Sequence, residues 1–171
     1  MEKDEILFQE TQRFRQWWMW LLMGFPLGFG LYGIFEQIIL GQSFGDKPMS
    51  DQGLVVFTLF GLAFAYFFWC HRLTLTITKK GMYVQFYPYV KKFVPWEKVT
   101  SMQIVDHGFT DAMGWGIRLW TKYGTVYNVK FGDGLYVQQK DKTKFLVSTD
   151  RGAALRKLLA EHFPTQYQET P

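Results

Sequence analysis

The sequence predicts a membrane-anchored α+β chain: a two-helix transmembrane hairpin, then a small antiparallel β domain closed by one C-terminal helix. Three observations predict it. Residues 17–40 and 53–70 are apolar runs that together hold one ionisable group, Glu36. From Leu73 onward apolar residues recur with period two, the mark of half-buried strands. After residue 148 the period changes to that of a helix.

Residues 1–16 form a charged leader with Lys3, Arg13 and Arg15 and are expected to be cytoplasmic. A bilayer core of about 30 Å needs roughly 20 apolar helical residues, so helices over about 17–40 and 53–70 are each long enough to span. The first run is too long for the apolar core of a secretory signal, and no A-x-A-like cleavage site precedes the second, so both helices are expected to be retained. The loop between them carries only Lys47, beside Asp46 and Asp51, while Arg72, Lys79 and Lys80 follow the second helix. Positive charge thus gathers with both termini, which places them on the cytoplasmic side. Trp17, Trp18 and Trp20, with Tyr66 to Trp69, form an aromatic belt on that face. Gly24 and Gly28, with Gly61 and Ala65, supply small residues four apart, so the helices are expected to pack on each other or on a second copy. Pro26 should kink the first helix. Glu36 lies one turn from the outer helix end, and an interfacial role is expected of it rather than transport. The single cysteine, Cys70, cannot form an internal disulfide.

Residues 71–164 read as the β domain. LTLTIT, the turn KKG and MYVQFY make a hairpin. KKFVPW, KVTSMQIV, GIRLW, TVYNVKF, LYVQQ and FLVS follow, with turns at TKYG, GDG and DKTK. About seven short strands at this spacing indicate an antiparallel barrel or sandwich. Ser148 or Thr149 can cap a helix over 150–163, with Ala154, Leu155, Leu158, Leu159 and Phe163 on one face and Pro164 ending it. Residues 165–171 form a polar tail.

The helix pair with GQSFGD between them, the LTLTITKKGMYVQFYP hairpin, the PWEKVTSMQIVD stretch, GWGIR and the helix after VST resemble the bacterial PH-like (pleckstrin-homology-like) domain proteins in which two transmembrane helices precede the domain. The resemblance implies a PH-like barrel of about seven strands capped by its C-terminal helix. It also implies a multi-pass protein of a bacterial inner membrane. It brings no catalytic residues. PH relatives that hold a phosphoinositide head group use a basic first hairpin loop and a basic second strand. Lys79 and Lys80 occupy the loop here, but MYVQFYP has no lysine or arginine, so an inositol-phosphate pocket is not expected.

A membrane-proximal basic and aromatic site is expected instead. Seven residues at about 3.3 Å each carry the KKG turn roughly 20 Å from the start of the strand, and the next strand returns. That return brings Tyr87, Tyr89, Lys91 and Lys92 back beside Arg72, where they can contact the bilayer and its anionic lipids. Residues 71–171 carry 15 lysines and arginines against 8 aspartates and glutamates. In GWGIR, alternation places Trp115, Ile117 and Leu119 inward, and Gly116 marks a bend or bulge. Arg118 and Trp120 point outward as a candidate pair for a protein partner, with Asp106 or Glu97 as a counter-charge. His71, His107 and His162 are too scattered for metal ligation, no cofactor-binding motif occurs, and HGFTDAMG reads as a polar loop. Neither an enzyme nor a nucleic-acid binder is expected. The expected function is a non-catalytic binding or scaffolding module with an unidentified protein partner or a second copy. The alternative is an accessory subunit or regulator of a transport or envelope-assembly complex, acting through the helical hairpin.

Overall fold

The computed structural model describes residues 5–14 and 16–168. The first four residues of the leader, Arg15 and the last three residues of the tail lie outside that description. The chain forms two compact units, one spanning residues 14–70 and the other built from the segments before and after it.

The first unit is a helical hairpin. Helix α1 (Trp17–Ile34) passes through Pro26 and runs into a π-helical turn at Phe35–Ile39 that contains Glu36; α2 is Asp51–Cys70. Both are long and apolar enough to cross a membrane, and both are mostly exposed, unlike the core helix of a soluble protein. Gln37 Nε2 donates to the Met49 carbonyl at 2.8 Å and to Asp51 Oδ1 at 2.6 Å, which ties the π-helical turn to the end of the loop and the first turn of α2. The helices meet only partly where expected. Nothing lies within 4 Å of a Cβ placed on Gly24 or Gly28, whereas Gly30 is pressed against Thr58 and Gly33 against Phe44 and Leu54. Gly61 does lie in the contact, against the Leu27 backbone at 3.6 Å, and Ala65 is half-buried. The spacing of small residues was legible, but the face that packs is set by where the loop returns the chain. The aromatic belt forms edge contacts, Trp20 with Trp69 at 6.0 Å and Phe14 with Phe68 at 6.1 Å.

The second unit is α+β. It contains two sheets rather than one closed barrel: β1-β2-β3-β4, and β5-β8-β9-β7-β6. The strands are β1 (Ile6–Arg13), β2 (Arg72–Thr78), β3 (Gly81–Tyr87), β4 (Val90–Pro95), β5 (Val99–His107), β6 (Gly116–Thr121), β7 (Gly124–Asn128), β8 (Gly132–Gln139) and β9 (Lys144–Ser148). The short helix α3 is Phe109–Ala112 and α4 is Gly152–His162. Among the described residues no strand pairs from one sheet to the other.

Three differences from the expected seven-strand barrel have physical causes. Part of the leader is a strand: β1 pairs antiparallel with β2 from Ile6↔Thr78 to Arg13↔Arg72. Both transmembrane-length helices are therefore inserted between two adjacent strands of one sheet. Residues GDG open β8 opposite His107 of β5 instead of making a hairpin turn, because β9 enters between β7 and β8 and pairs parallel with β7. Helix α4 starts later than expected because Thr149 Oγ1 donates to Glu10 and Asp150 N donates to Glu10 Oε1 at 2.7 Å. The described part of the tail is also engaged: Met102 and Tyr167 form a bridge that covers the outer edge of β5.

The first sheet's inner face is ordered in three cross-strand rows: Gln12–Leu73–Phe86–Val90, Glu10–Leu75–Val84–Lys92 and Phe8–Ile77–Met82–Val94. Strand β9 crosses above the first two, with Phe145 under Lys92 and Ser148 bonded to Gln12. Strand β5 begins at the other end, beside Trp96, whose indole donates to the Thr78 carbonyl at 2.9 Å. The strand order then places β7 and β6 toward the Arg13–Arg72 end. Leu155 and Leu159 of α4 are fully buried, Leu158 and Phe163 half-buried, and Ala154 exposed.

Arg13 and Arg72 are cross-strand partners, so replacing residues 14–71 with a two-residue Asn-Gly turn should give a soluble domain that melts cooperatively, followed by circular dichroism. A fragment of residues 71–171 alone, lacking β1, should not melt cooperatively. In full-length protein, Gly30→Leu should weaken the hairpin by about 1–3 kcal/mol through overpacking against Thr58, and Gly24→Leu should not; helix unfolding in detergent measures both.

Candidate functional site

The end of the β domain at which the chain enters and leaves the helices collects most of the expected site residues. Arg13 and Arg72 are directly opposite each other and exposed. Like charges at opposed positions of an antiparallel pair repel, so this end favours an anionic surround. The Arg72 guanidinium lies 4.9 Å from the Tyr87 ring centre, and Tyr89 lies 5.3 Å from the ring of buried His71. Tyr87, Tyr89 and Lys91 are exposed.

Lys91 and Lys92 part company. Strand alternation turns Lys91 out and Lys92 in, where its ammonium sits 4.3 Å from the centre of the buried Phe145 ring. Burial pulls the Lys92 pKa below its ordinary value, and the nearby Asp141 carboxylate opposes the shift. Lys92 is thus half-buried, packing between the sheets. A second basic feature escaped the sequence reading: Lys140, Lys142 and Lys144 line a shallow groove with Gln138 and Thr100. Their alternating polar spacing reads as an ordinary solvated turn, and only the folding of β8 against β9 brings them together.

Polar residues on β1 meet the β9–α4 corner. Glu10 is 8% exposed and Gln12 5%. Gln12 Nε2 donates to the Ser148 carbonyl at 2.5 Å, and Ser148 Oγ donates to Gln12 Oε1 at 2.9 Å. Glu10 uses both carboxylate oxygens, on Thr149 and Asp150. These groups are consumed by one another and do not line an open pocket.

The GWGIR stretch is mostly a bend. Met113, Gly114 and Gly116 all have positive φ, at 56°, 109° and 92°. A Cβ on Gly114 would come within 3.1 Å of Arg118 Nη2, so the guanidinium folds back over the glycine. Trp115 is half-buried and does not fill the core; it packs on Phe131 at 5.1 Å and Phe109 at 5.7 Å. Leu119, expected to point inward, is 51% exposed, and Trp120 is 92% exposed with φ 58°. A bulge causes this: Arg118 pairs with Val126 and Thr121 with Gly124, leaving two β6 residues opposite one of β7. Arg118 and Trp120 are both exposed, but no cation–π contact joins them, and Arg118 has no ion pair with Asp106 or Glu97, among the described residues.

His107 closes β5 and is 1% exposed. Burial depresses its pKa; backbone hydrogen bonding to Gly132, the carboxylates of Asp106 and Asp111 and the Lys130 backbone oppose the shift. The residues after it form α3, whose Ala112 packs with Val126 and Leu146 on the outer face of the second sheet. No group of three histidine, cysteine or acidic side chains is arranged to hold a metal among the described residues.

Comparison with known proteins finds no relative: no family model, curated protein or solved structure matches the chain.

The depressed His107 pKa has a defined sign. As pH falls below 6.5 the unfolded chain takes up a proton before the folded one does, so stability present above 6.5 is lost toward lower pH. The urea midpoint of the turn-linked domain should fall between about pH 7.5 and 5.5, and His107→Phe should flatten that fall.

Proposed function

We propose that the chain is a membrane-anchored, non-catalytic PH-like binding or scaffolding module on the cytoplasmic face of a bacterial inner membrane, acting through a protein partner or a second copy of itself. One observation carries the reading: both long apolar helices are inserted between β1 and β2, which are hydrogen-bonded neighbours. A hairpin whose two ends enter one folded sheet has both ends on the same side of any membrane it crosses. Removing the first helix as a signal would also remove β1 and leave Leu73, Leu75 and Ile77 at a bare sheet edge. The positive-inside rule supports the cytoplasm as that side, since Arg13, Arg72, Lys79 and Lys80 lie with the domain and only Lys47 lies in the loop. The facing sheets and C-terminal helix support the PH-like comparison, although the parallel β7–β9 pair is an addition to a simple antiparallel meander. The buried polar groups on β1 are spent on mutual hydrogen bonds, which supports a structural and not a catalytic use of them.

A second reading rests on the hairpin. Gly24 and Gly28 face away from α2 and leave a close-approach surface for another helix, as an accessory subunit of a larger complex would need.

Single cysteines in a Cys70→Ser background test the topology. An impermeant maleimide should label Ser43→Cys on intact spheroplasts and Lys157→Cys only in inverted vesicles; the reverse pattern overturns the orientation, and labelling of both from one side overturns the span. Co-purification separates the two readings. A partner retained by the turn-linked domain supports the module, and one retained only by full-length protein supports the hairpin.

A further inference from the structure

Strand β6 is the edge of the second sheet that pairs with no further strand among the described residues, while the opposite edge, β5, is covered by residues 166–168. On this edge Leu119 and Trp120 stand side by side in the bulge, exposed. A bulky aromatic residue in the left-handed backbone region is disfavoured by its Cβ, and here the side chain makes no compensating contact with the core.

We infer that the Leu119–Trp120 bulge is a bilayer-insertion element that seats its two side chains at the headgroup–acyl boundary of an anionic membrane. This rests on the membrane-anchored reading above. Position supports it first. Strand β9 crosses the first sheet over its Gln12 and Glu10 rows, β8 and β5 lie toward Thr78 and Trp96, and β7 and β6 lie toward the Arg13–Arg72 end, into which the helices run in sequence. Charge supports it second. Arg13, Arg72, Lys91 and Arg118 have no carboxylate partner among the described residues, and Asp111, near the β6–β7 turn, is already held by Lys122 at 2.5 Å. Cations and an exposed indole toward one end of the domain match an anionic headgroup layer, where the amphipathic tryptophan ring is favoured. The bulge itself argues against a second copy: it interrupts the row of backbone donors and acceptors that strand addition requires.

The test uses full-length Cys70→Ser protein in vesicles of phosphatidylethanolamine and phosphatidylglycerol containing a shallow spin-labelled lipid. An environment-sensitive fluorophore is placed in turn on Leu119→Cys, on Lys79→Cys at the opposite turn, and on Leu62→Cys within α2. The Leu119 probe should be quenched at least about twofold and the Lys79 probe should not, and adding Trp120→Ser should reverse at least half of the Leu119 quenching. An unquenched Leu119 probe beside a Leu62 probe quenched by a deep-labelled lipid overturns the insertion element and leaves the anchor standing. An unquenched Leu62 probe overturns the anchor, and the insertion element with it. Quenching at Leu119 that is indifferent to Trp120→Ser overturns the role of the bulge. Disulfide cross-linking of unlabelled Leu119→Cys between copies, without lipid quenching, assigns the edge to self-association instead.

Discussion

The pairing of β1 with β2 across the inserted helical hairpin is the interaction on which the rest of the domain depends. It completes a four-stranded sheet, and it also brings two polar side chains into an apolar face. Glu10 and Gln12 occupy inner-face positions between Phe8 and the strand end, where an unpaired carboxylate or amide would cost several kcal/mol. Residues 148–150 satisfy them, and the same bonds fix where β9 stops and where α4 begins. The first strand and the last helix therefore specify each other, although most of the chain separates them.

The direction of β9 is the second constraint. Its pairing with β7 on one side and β8 on the other holds those two strands apart, and β9 itself crosses the rows of the first sheet from Lys92 to Gln12. That crossing half-buries Lys92 over Phe145, which a reading strand by strand would leave at the surface. It also determines which edge of the second sheet lies toward the opposed arginines. Charge repulsion between Arg13 and Arg72, the clustered tyrosines and the outward Trp120 then fall at one end of the domain, and on the proposed reading an anionic bilayer relieves the first and accommodates the others.

Local conformational demands explain why GWGIR looks functional and is largely architectural. Gly114 and Gly116 adopt positive φ, which their neighbours could adopt only with strain, and Gly114 leaves room for the Arg118 guanidinium. The tension is displaced to Trp120, which takes a left-handed conformation without being a glycine. Strain concentrated on an exposed aromatic residue is the feature a packing argument leaves over.

Period and composition alone determined the two apolar helices, the alternating strands from Leu73 to Ser148 and the amphipathic C-terminal helix, because helix and strand periodicities and long apolar runs are local properties. Arg72, Tyr87, Tyr89 and Lys91 were legible as neighbours because one hairpin joins them. Only the tertiary structure decided that residues 6–13 are a strand. ILFQETQR alternates, but its inward positions include Glu10 and Gln12, and their partners lie beyond residue 147 in sequence. Only it decided that Gly30 and Gly33 pack instead of Gly24 and Gly28, that Lys92 turns inward, and that Leu119 and Trp120 are both thrown outward by a bulge. Each of these depends on a neighbour distant in the chain, and a side chain's orientation is set by which strand lies opposite it.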